Sequence, residues 1–259
     1  MTVLLAAPPS RSRPPPDPNP VPPYVPWDEW YARQTVTFTQ GQHLFIGGPT
    51  QSGKSSLARL VVDIRDYTVV LATKPNDDPA LIAYQESGYL RIDHWPPTRR
   101  DIRKMPTEKL QFLVWPKLVE IDDAQKKRHL YEHVLKYCYV DGRWCVVIDE
   151  GLFFADKNGL DLGVLMGQLA YGSASNKVSL VVLGQRAVGL GPITWVNMSQ
   201  ALLFHMGKVD DVRDLASLGT YPPRAAEDAV ASLGAFEFLD LPTRAQAEWS
   251  ISRVDPNVI

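Results

Sequence analysis

The sequence predicts an α/β fold in which helices flank a mostly parallel central sheet. One observation is that short apolar runs with strand character alternate with runs whose apolar residues recur at helical spacing. A second is a glycine-rich phosphate-binding motif between the first of these strands and the helix that follows it. Strands buried on both faces are continuous apolar runs, and helices usually form the crossovers between parallel strands. Together these observations favour a layered α/β domain.

The composition fits one folded domain of this kind. Of the 259 residues, 45% are hydrophobic and 22% are charged, which excludes a wholly disordered chain. The formal net charge of −2 argues against coating nucleic acid by bulk charge, so such a contact needs a local basic patch. No apolar run approaches about 18 residues, so we expect no membrane insertion and a cytoplasmic location. The two cysteines, Cys138 and Cys145, are expected to be reduced and buried.

Composition changes near Trp27. Ten of the 22 prolines lie in residues 8–26. Proline fixes φ and lacks an N–H donor, so this stretch favours an extended polyproline II conformation. We predict a disordered proline-rich tail over residues 1–26, either a flexible arm or a partner-docking peptide, and one folded domain over residues 27–259. A β-prone run at residues 35–39 lies at the start of that domain.

The remaining elements follow in chain order. Apolar runs predict buried strands at residues 43–46, 68–71, 110–114, 144–148, 178–183 and 201–205. Helical spacing predicts a helix after Lys54 and another over residues 122–136. A helical segment at residues 225–233 leads to strand-like stretches at 235–239 and 248–254, which we interpret as a C-terminal β-hairpin.

The phosphate-binding motif has the form G-x-x-x-x-G-K-S and lies between a strand and an amphipathic helix, where its chemistry requires it. Its glycines allow a tight turn whose N–H groups point at phosphate oxygens. Lys54 then neutralises β- and γ-phosphate oxygens, and the Ser55 hydroxyl ligates magnesium. The sequence therefore predicts that ATP and Mg²⁺ bind at Gly48, Pro49, Thr50, Gln51, Ser52, Gly53, Lys54, Ser55 and Ser56.

A pair of acids follows the apolar run at residues 144–148. Nucleotide hydrolysis needs a carboxylate at the tip of a neighbouring strand to hold the magnesium shell, and a second group to polarise water. We assign the metal role to Asp149 and the general-base role to Glu150. The second acid favours water over a kinase acceptor as the attacking group. The alternative is that Glu150 only caps the next segment.

A polar pair ends the run at residues 178–183. Ligands bind at the carboxyl edge of open α/β sheets, so both side chains are catalytic candidates beside Glu150 and Lys54. Gln185 is placed to orient the attacking water. Arg186 is placed to neutralise negative charge on the nucleotide or on a neighbouring subunit. The alternative is a solvated strand end.

Four segments together resemble the FtsK-HerA superfamily of P-loop ATPases, which includes chromosome pumps, conjugation ATPases and viral genome-packaging motors. They are residues 46–55, 71–75, 147–150 and 183–186. The last is similar to the family's Thr-Gln-Arg-Pro element, although Gly184 and Ala187 replace its threonine and proline. The resemblance implies a P-loop NTPase of the additional-strand, RecA-like type that hydrolyses ATP, with Gln185 as the sensor. It also implies a homo-oligomeric ring that translocates double-stranded DNA.

The chain departs from the family after the acid pair, where residues 160–176 contain none of the usual arginines. A finger acting across a subunit interface therefore has three candidates, Arg143, Lys177 and Arg186. Lys74 is a further candidate for phosphate contact, or a solvated strand end.

By size, the sequence looks most like a viral genome-packaging ATPase working at a capsid portal. Chromosome pumps have membrane anchors and a DNA-reading domain, whereas this sequence suggests a compact motor core. Two alternatives stay open. One is a conjugation or phage-assembly motor with a membrane partner, and the other is a nucleotide-switched scaffold without DNA translocation.

The densest basic stretch supplies the candidate DNA contacts, Arg99, Arg100, Arg103 and Lys104. It would line a channel for DNA, or it would be an ordinary solvated loop in which Asp101 dilutes the charge. A second basic run, residues 126–128, is predicted on a helix that faces solvent, and we favour it less.

The helix over residues 122–136 also contains a zinc-protease pattern, H-x-x-E-H, formed by His129, Glu132 and His133. This helix precedes the acid-pair strand and lies away from the predicted nucleotide edge. We therefore interpret the pattern as a solvated helix face.

Overall fold

The structure, a computed structural model, describes residues 20–74, 77–106, 108–117, 123–186, 189–207, 209–219, 221–243 and 248–255. The helices are α1 (Trp27–Thr37), α2 (Lys54–Val62), α3 (Pro79–Glu86), α4 (Arg99–Ile102), α5 (Asp123–Asp141), α6 (Gly151–Ala155), α7 (Gly163–Asn176), α8 (Pro192–Val196), α9 (Val209–Leu218) and α10 (Pro223–Ser232). The strands are β1 (His43–Gly47), β2 (Tyr67–Leu71), β3 (Leu90–Ile92), β4 (Leu110–Val114), β5 (Cys145–Ile148), β6 (Ser179–Gly184), β7 (Gln200–Phe204), β8 (Glu237–Pro242) and β9 (Ser250–Arg253).

All the strands described belong to one sheet, in the order β3-β4-β2-β5-β6-β1-β7-β8-β9. Strands β1 to β7 are parallel, and β8 and β9 form the antiparallel hairpin predicted at the C-terminus. Strand β6 lies between β1, which leads into the phosphate-binding loop, and β5, which leads into the acid pair. This interposed strand is the additional strand of the predicted fold type.

Helices cover both faces of the sheet, which explains why its central strands are apolar throughout. Leu44 and Ile46 of β1 pack in the cluster that includes residues of α1, α2 and α3. Phe45 faces the other cluster, which includes residues of α5, α7, α9 and α10. All five residues of β1 are buried, so neither face leaves an alternating polar pattern. Within the described part of the chain, no helix combines the length and apolar character needed to cross a bilayer.

The predicted β-prone run at residues 35–39 is not a strand. Helix α1 continues to Thr37, and Phe38 follows it as the C-cap. The helix is held by its tryptophan: Trp30 is fully buried, packs edge-on against Phe238 at 4.7 Å, and donates from Nε1 to the Asp240 carboxylate at 2.8 Å. These long-range contacts override the local β propensity of threonine, valine and phenylalanine.

Part of the predicted tail, within residues 20–26, contacts the last strand of the sheet. Tyr24 forms a parallel bridge with Ile251 of β9. The Val25 N–H donates to the Ile251 carbonyl at 2.8 Å, and the Ile251 N–H donates to the Pro23 carbonyl at 2.9 Å. Residues 20–26 therefore run along the edge of the sheet. Residues 1–19 of the predicted tail lie outside the described residues.

Asp240 on β8 is a buried carboxylate held by three side-chain donors. It accepts from Trp30 Nε1 at 2.8 Å, Gln34 Nε2 at 3.3 Å and Gln200 Nε2 at 2.7 Å. Burial nevertheless raises the pKa of Asp240 from 3.8 to about 6. The ionised carboxylate is therefore less favourable in the folded chain than in the unfolded chain.

We expect this carboxylate to make stability depend on pH. Its favourable contribution is complete below pH 3.8 and is lost as pH rises through about 6. The free energy of unfolding should fall by about 2–3 kcal/mol between those limits relative to Asp240→Asn, which does not titrate. Urea unfolding of both proteins between pH 4 and 8 measures the difference, and other titrating groups cancel because both proteins contain them. A difference that is constant with pH would contradict this assignment.

Candidate active site

The phosphate-binding loop connects β1 to α2 and has the backbone of an anion cradle. Gln51 has φ 64° and Gly53 has φ 101°, so the chain reverses tightly before the helix. At Gly53 a β-carbon would also lie 3.2 Å from the Phe236 ring. Both the positive φ and this close contact therefore favour glycine at this position. Gly53 caps α2 without any side-chain hydrogen bond. The N–H groups of the first helical turn are thus available to phosphate oxygens.

Lys54 lies across this loop. Its Nζ donates to the Pro49 carbonyl at 2.6 Å, which holds the ammonium over the turn where phosphates would bind. Burial lowers the pKa of Lys54 to about 8, while the nearby carboxylate of Glu150 opposes the shift and Lys74 adds to it. A negatively charged ligand in this position would compensate the buried ammonium.

Asp149 follows β5 and is oriented by Thr73, which follows β2. The Thr73 N–H and Oγ1 both donate to Asp149 Oδ1, at 2.7 and 2.6 Å. The second oxygen, Oδ2, is buried and has no hydrogen-bond partner among the described residues. Burial raises the pKa of Asp149, against the opposing effect of the Thr73 hydrogen bonds. Ser55 lines the same cleft as Asp149, and an orphaned carboxylate oxygen with a hydroxyl in that cleft suits Mg²⁺, which prefers oxygen ligands and retains water in its shell.

Glu150 is the next residue and extends into the same cleft. It occupies the N-cap position of α6. Burial raises the pKa of Glu150, and the charge of Asp149 raises it further, while Lys54 and Lys74 oppose the shift. The Leu152 N–H in the first turn of α6 also lowers this pKa. A raised pKa makes a carboxylate a better proton acceptor near neutral pH. The cleft position and the raised pKa suit a general base, and the position at the start of α6 is also that of a cap.

These groups share one cleft of about 450 Å³. Gln185 lines it from the end of β6, and Lys74 and Asp78 line it from the segment after β2. The Lys74 ammonium lies 3.7 Å from Asp78 Oδ2, so Lys74 is a cleft residue rather than a solvated strand end. The predicted residues that line the cleft are Thr50, Gln51, Gly53, Lys54, Ser55, Ser56, Asp149, Glu150 and Gln185.

A second cleft of about 360 Å³ lies on the other side of the phosphate-binding loop. Pro49 and Ser52 line it together with Phe204, His205 and the segment at residues 233–236. Phe236 has φ 62° and lines both clefts. No sequence motif marked Phe236, because it reaches the loop only through the antiparallel pairing of β8 with β7.

Arg186 is not among the residues that line the phosphate cleft. Its Nε donates to Asp211 Oδ2 at 3.3 Å, and the Asp211 side chain on α9 is fully buried. Of the other finger candidates, Arg143 precedes β5 and Lys177 precedes β6. Both are at the amino ends of their strands, opposite the carboxyl edge where this subunit's phosphate cleft lies.

The basic stretch predicted to touch DNA forms helix α4 and the turn after it, at the β3 end of the sheet. Arg99, Arg100, Arg103 and Lys104 are exposed. Asp101 is turned inward and accepts from Thr98 and His94, and Lys104 lies 3.8 Å away. The Asp101 carboxylate is thus occupied by contacts within the turn. The arginines face solvent and form a basic patch.

Helix α5 contains two of the sequence patterns described above, the zinc-like pattern and the basic run at residues 126–128. His129 and His133 of the zinc-like pattern are exposed, Glu132 pairs with Lys136, and no group of metal ligands occurs among the described residues. The exposure of both histidines is that of a solvated helix surface. The prediction that residues 126–128 face solvent is wrong for Lys127, which is 3% exposed and donates to the Thr73 carbonyl at 3.0 Å.

Several solved ATPases have a similar fold. The DNA-packaging ATPase of Sulfolobus Turreted Icosahedral Virus has a TM-score of 0.56 at 18% identity, over 82% of this chain and 97% of that one. The pCW3 conjugation coupling protein TcpA, solved with ATPγS, gives 0.51 at 14% identity, over 92% and 72%. The cytoplasmic domain of the type VII secretion ATPase EccC from Thermomonospora curvata gives 0.54 at 14%, over 83% and 25%.

These similarities confirm the predicted fold, a P-loop NTPase with a mostly parallel central sheet. No family model matches the chain, and no curated protein matches it. At this level of identity the likeness concerns the fold. The residues of the cleft determine which chemistry this chain can perform.

Proposed function

We propose that this chain is an ATP-driven double-stranded DNA translocase, a viral genome-packaging motor ATPase that acts as a homo-oligomeric ring at a capsid portal in the host cytoplasm. The observation that carries the ATPase proposal is the single cleft that joins Lys54, Asp149, Glu150 and Gln185. The packaging role is supported by the fold shared with a viral DNA-packaging ATPase over nearly all of that protein's length.

The residues of the cleft divide the work of hydrolysis. The turn and Lys54 bind the β- and γ-phosphate oxygens, and Ser55 and Asp149 would hold the magnesium shell. Magnesium, when bound, neutralises charge on the phosphate oxygens. Glu150 accepts a proton from the attacking water, and Gln185 orients that water against the γ-phosphate.

The second cleft is the place for the nucleoside of ATP. It adjoins the phosphate-binding loop, and Phe204, Gly234, Ala235 and Phe236 line it. Phe204 is buried, whereas Phe236 is partly exposed, so the Phe236 ring is the surface on which a purine would stack. Phosphates in one cleft and the base in the other would place ATP across the loop.

Arg186 acts within its own subunit in this proposal. Moving it toward a neighbouring nucleotide would leave the fully buried Asp211 carboxylate without this partner, which is costly. Arg143 and Lys177 remain as candidates for a finger that reaches the neighbouring subunit's site. Both are exposed, at the sheet edge away from their own cleft.

A conjugation motor with a membrane partner is the second candidate. The observation that favours it is the fold shared with the conjugation coupling protein TcpA over 92% of this chain. Association with an integral membrane protein in co-sedimentation would favour that function over packaging.

The proposal is tested by steady-state ATP hydrolysis with and without double-stranded DNA. A translocase should hydrolyse ATP faster when DNA is present, and Lys54→Ala should lose both the basal and the stimulated rate. Nucleotide binding with a rate indifferent to DNA would point to a nucleotide-switched scaffold instead.

We expect the basic patch on α4 to set the salt dependence of DNA binding. Each phosphate contact that is lost should reduce the slope of log affinity against log salt by about 0.9, so replacing Arg99, Arg100, Arg103 and Lys104 with glutamine should reduce it by about 3–4. Fluorescence anisotropy with labelled duplex at several salt concentrations measures the slope. Replacing Lys136 and Arg253, exposed basic residues elsewhere on the fold, is the matched control. Equal slopes for the patch variant and the wild type would remove these residues from the DNA interface.

A further inference from the structure

Three consecutive backbone carbonyls beyond the end of β2 are bound by side chains. The Tyr131 hydroxyl donates to the Ala72 carbonyl, Lys127 Nζ donates to the Thr73 carbonyl at 3.0 Å, and Trp115 Nε1 donates to the Lys74 carbonyl at 3.2 Å. Beyond β2, these side chains supply the donors that a neighbouring strand supplies within a sheet. We call residues 72–74 the β2 exit segment.

The β2 exit segment is the part of the chain that orients the metal-site carboxylate. The Ala72 carbonyl and the Thr73 N–H belong to one peptide plane. On one side this plane accepts from Tyr131, and on the other it donates to Asp149 Oδ1 at 2.7 Å. The next plane carries the Thr73 carbonyl that Lys127 binds. With both planes fixed, the Thr73 hydroxyl also points at Asp149, at 2.6 Å.

Lys127 is an unusual group for this position. Lysine is seldom buried, yet this side chain is 3% exposed. Its Nζ lies 5.8 Å from the centre of the Tyr131 ring, one helical turn further along α5. Burial lowers the pKa of Lys127, and the charge of Asp149 opposes that shift. The ammonium thus lies within electrostatic reach of the Asp149 carboxylate, and Lys127 is not among the residues that line the phosphate cleft.

We propose that Lys127, together with Tyr131, is a positioning residue for Asp149. The ammonium fixes the peptide that follows Thr73, so Asp149 Oδ1 stays engaged by Thr73 and Oδ2 stays directed at the metal position. Lys127 touches neither nucleotide nor metal in this arrangement. The inference rests on the proposed ATP and magnesium site. It adds two residues that hold the metal ligand in place and that belong to no sequence motif.

The test compares Lys127→Met, Lys127→Arg and Tyr131→Phe with the wild-type protein. Binding of a fluorescent ATP analogue is measured in EDTA and across a magnesium titration. The kcat and KM of ATP hydrolysis are then measured for each protein. Lys127→Met should need about 10–100-fold more magnesium for half-maximal nucleotide binding, or its kcat should fall by the same factor. Changes to residues that hold a metal ligand in place have effects of that size. Binding in EDTA should not change, since Lys54 and the loop are intact. Lys127→Arg keeps a cationic donor and should recover part of the loss.

Lys136→Met is the matched control, because it removes an exposed ammonium from the same helix. It should bind magnesium and turn over as the wild type does. If Lys127→Met fails to fold, Tyr131→Phe, which removes only the hydroxyl donor, should show the same shift in magnesium dependence. A folded Lys127→Met with wild-type magnesium dependence and kcat would overturn the positioning role alone. A wild-type protein without magnesium-dependent nucleotide binding would overturn both this inference and the proposed function.

Discussion

Glu150→Gln is expected to bind ATP as tightly as the wild-type protein and to lower kcat by about two to four orders of magnitude, the usual contribution of a general base. Glutamine has nearly the same shape, so it should occupy the same part of the cleft. It cannot accept the proton of the attacking water at neutral pH. Glutamine retains a side-chain oxygen that can accept from the Leu152 N–H in the first turn of α6, so the substitution should not weaken that helix. Single-turnover hydrolysis beside equilibrium nucleotide binding separates the two effects.

Glu86→Gln is the matched control, since Glu86 is an exposed glutamate at the end of α3. It should leave both binding and turnover unchanged. Rapid turnover by Glu150→Gln with intact binding would mean that another group activates the water. Loss of binding in the same variant would instead indicate that Glu150 shapes the cleft.

Lys54→Ala is expected to weaken ATP binding by about 30-fold or more, on the scale of losing one partner of a buried charge pair. What binds should turn over about 10²–10³-fold more slowly, because the lysine also stabilises charge on the transferring phosphoryl group. The structural reason is that the Lys54 ammonium lies over the turn, 2.6 Å from the Pro49 carbonyl. Titration with a fluorescent nucleotide and a steady-state assay measure the two losses.

Lys157→Ala removes an exposed lysine from the segment between α6 and α7 and should behave as the wild type. If Lys54→Ala bound ATP normally, the phosphates would have to lie elsewhere than over this turn. Circular dichroism of the variant distinguishes loss of binding from loss of the fold.

The phosphate cleft could be predicted from sequence because its parts are local. Residues 48–56 form a contiguous turn and helix start, and Asp149 and Glu150 directly follow a buried strand. Parallel strands end at one edge, so motifs that follow different strands are brought together by the fold class alone. The placement of Gln185 in the same cleft has the same origin, since β6 lies between β1 and β5.

The supporting groups could not be predicted, because they depend on contacts between distant segments. Lys127 belongs to a run of three basic residues on a helix, and only the packing of α5 on the end of β2 makes it buried. Phe236 reaches the loop through strand pairing, and Trp30 holds α1 through a carboxylate more than two hundred residues later. Arg186 is held by Asp211, which no pattern connects to it. Local propensity carries no information about such pairs.

The extended segment before α1 has a consequence for how copies of this chain meet. An uncovered edge strand invites pairing with another chain and so leads to aggregation. Here Pro23, Tyr24 and Val25 occupy the outer side of β9. Because the Pro23 carbonyl and the Val25 N–H face β9, Pro22 and Pro26 lie on the outward side, where they have no N–H to donate. Few N–H donors are therefore left on the β9 edge of the sheet for pairing with a further strand.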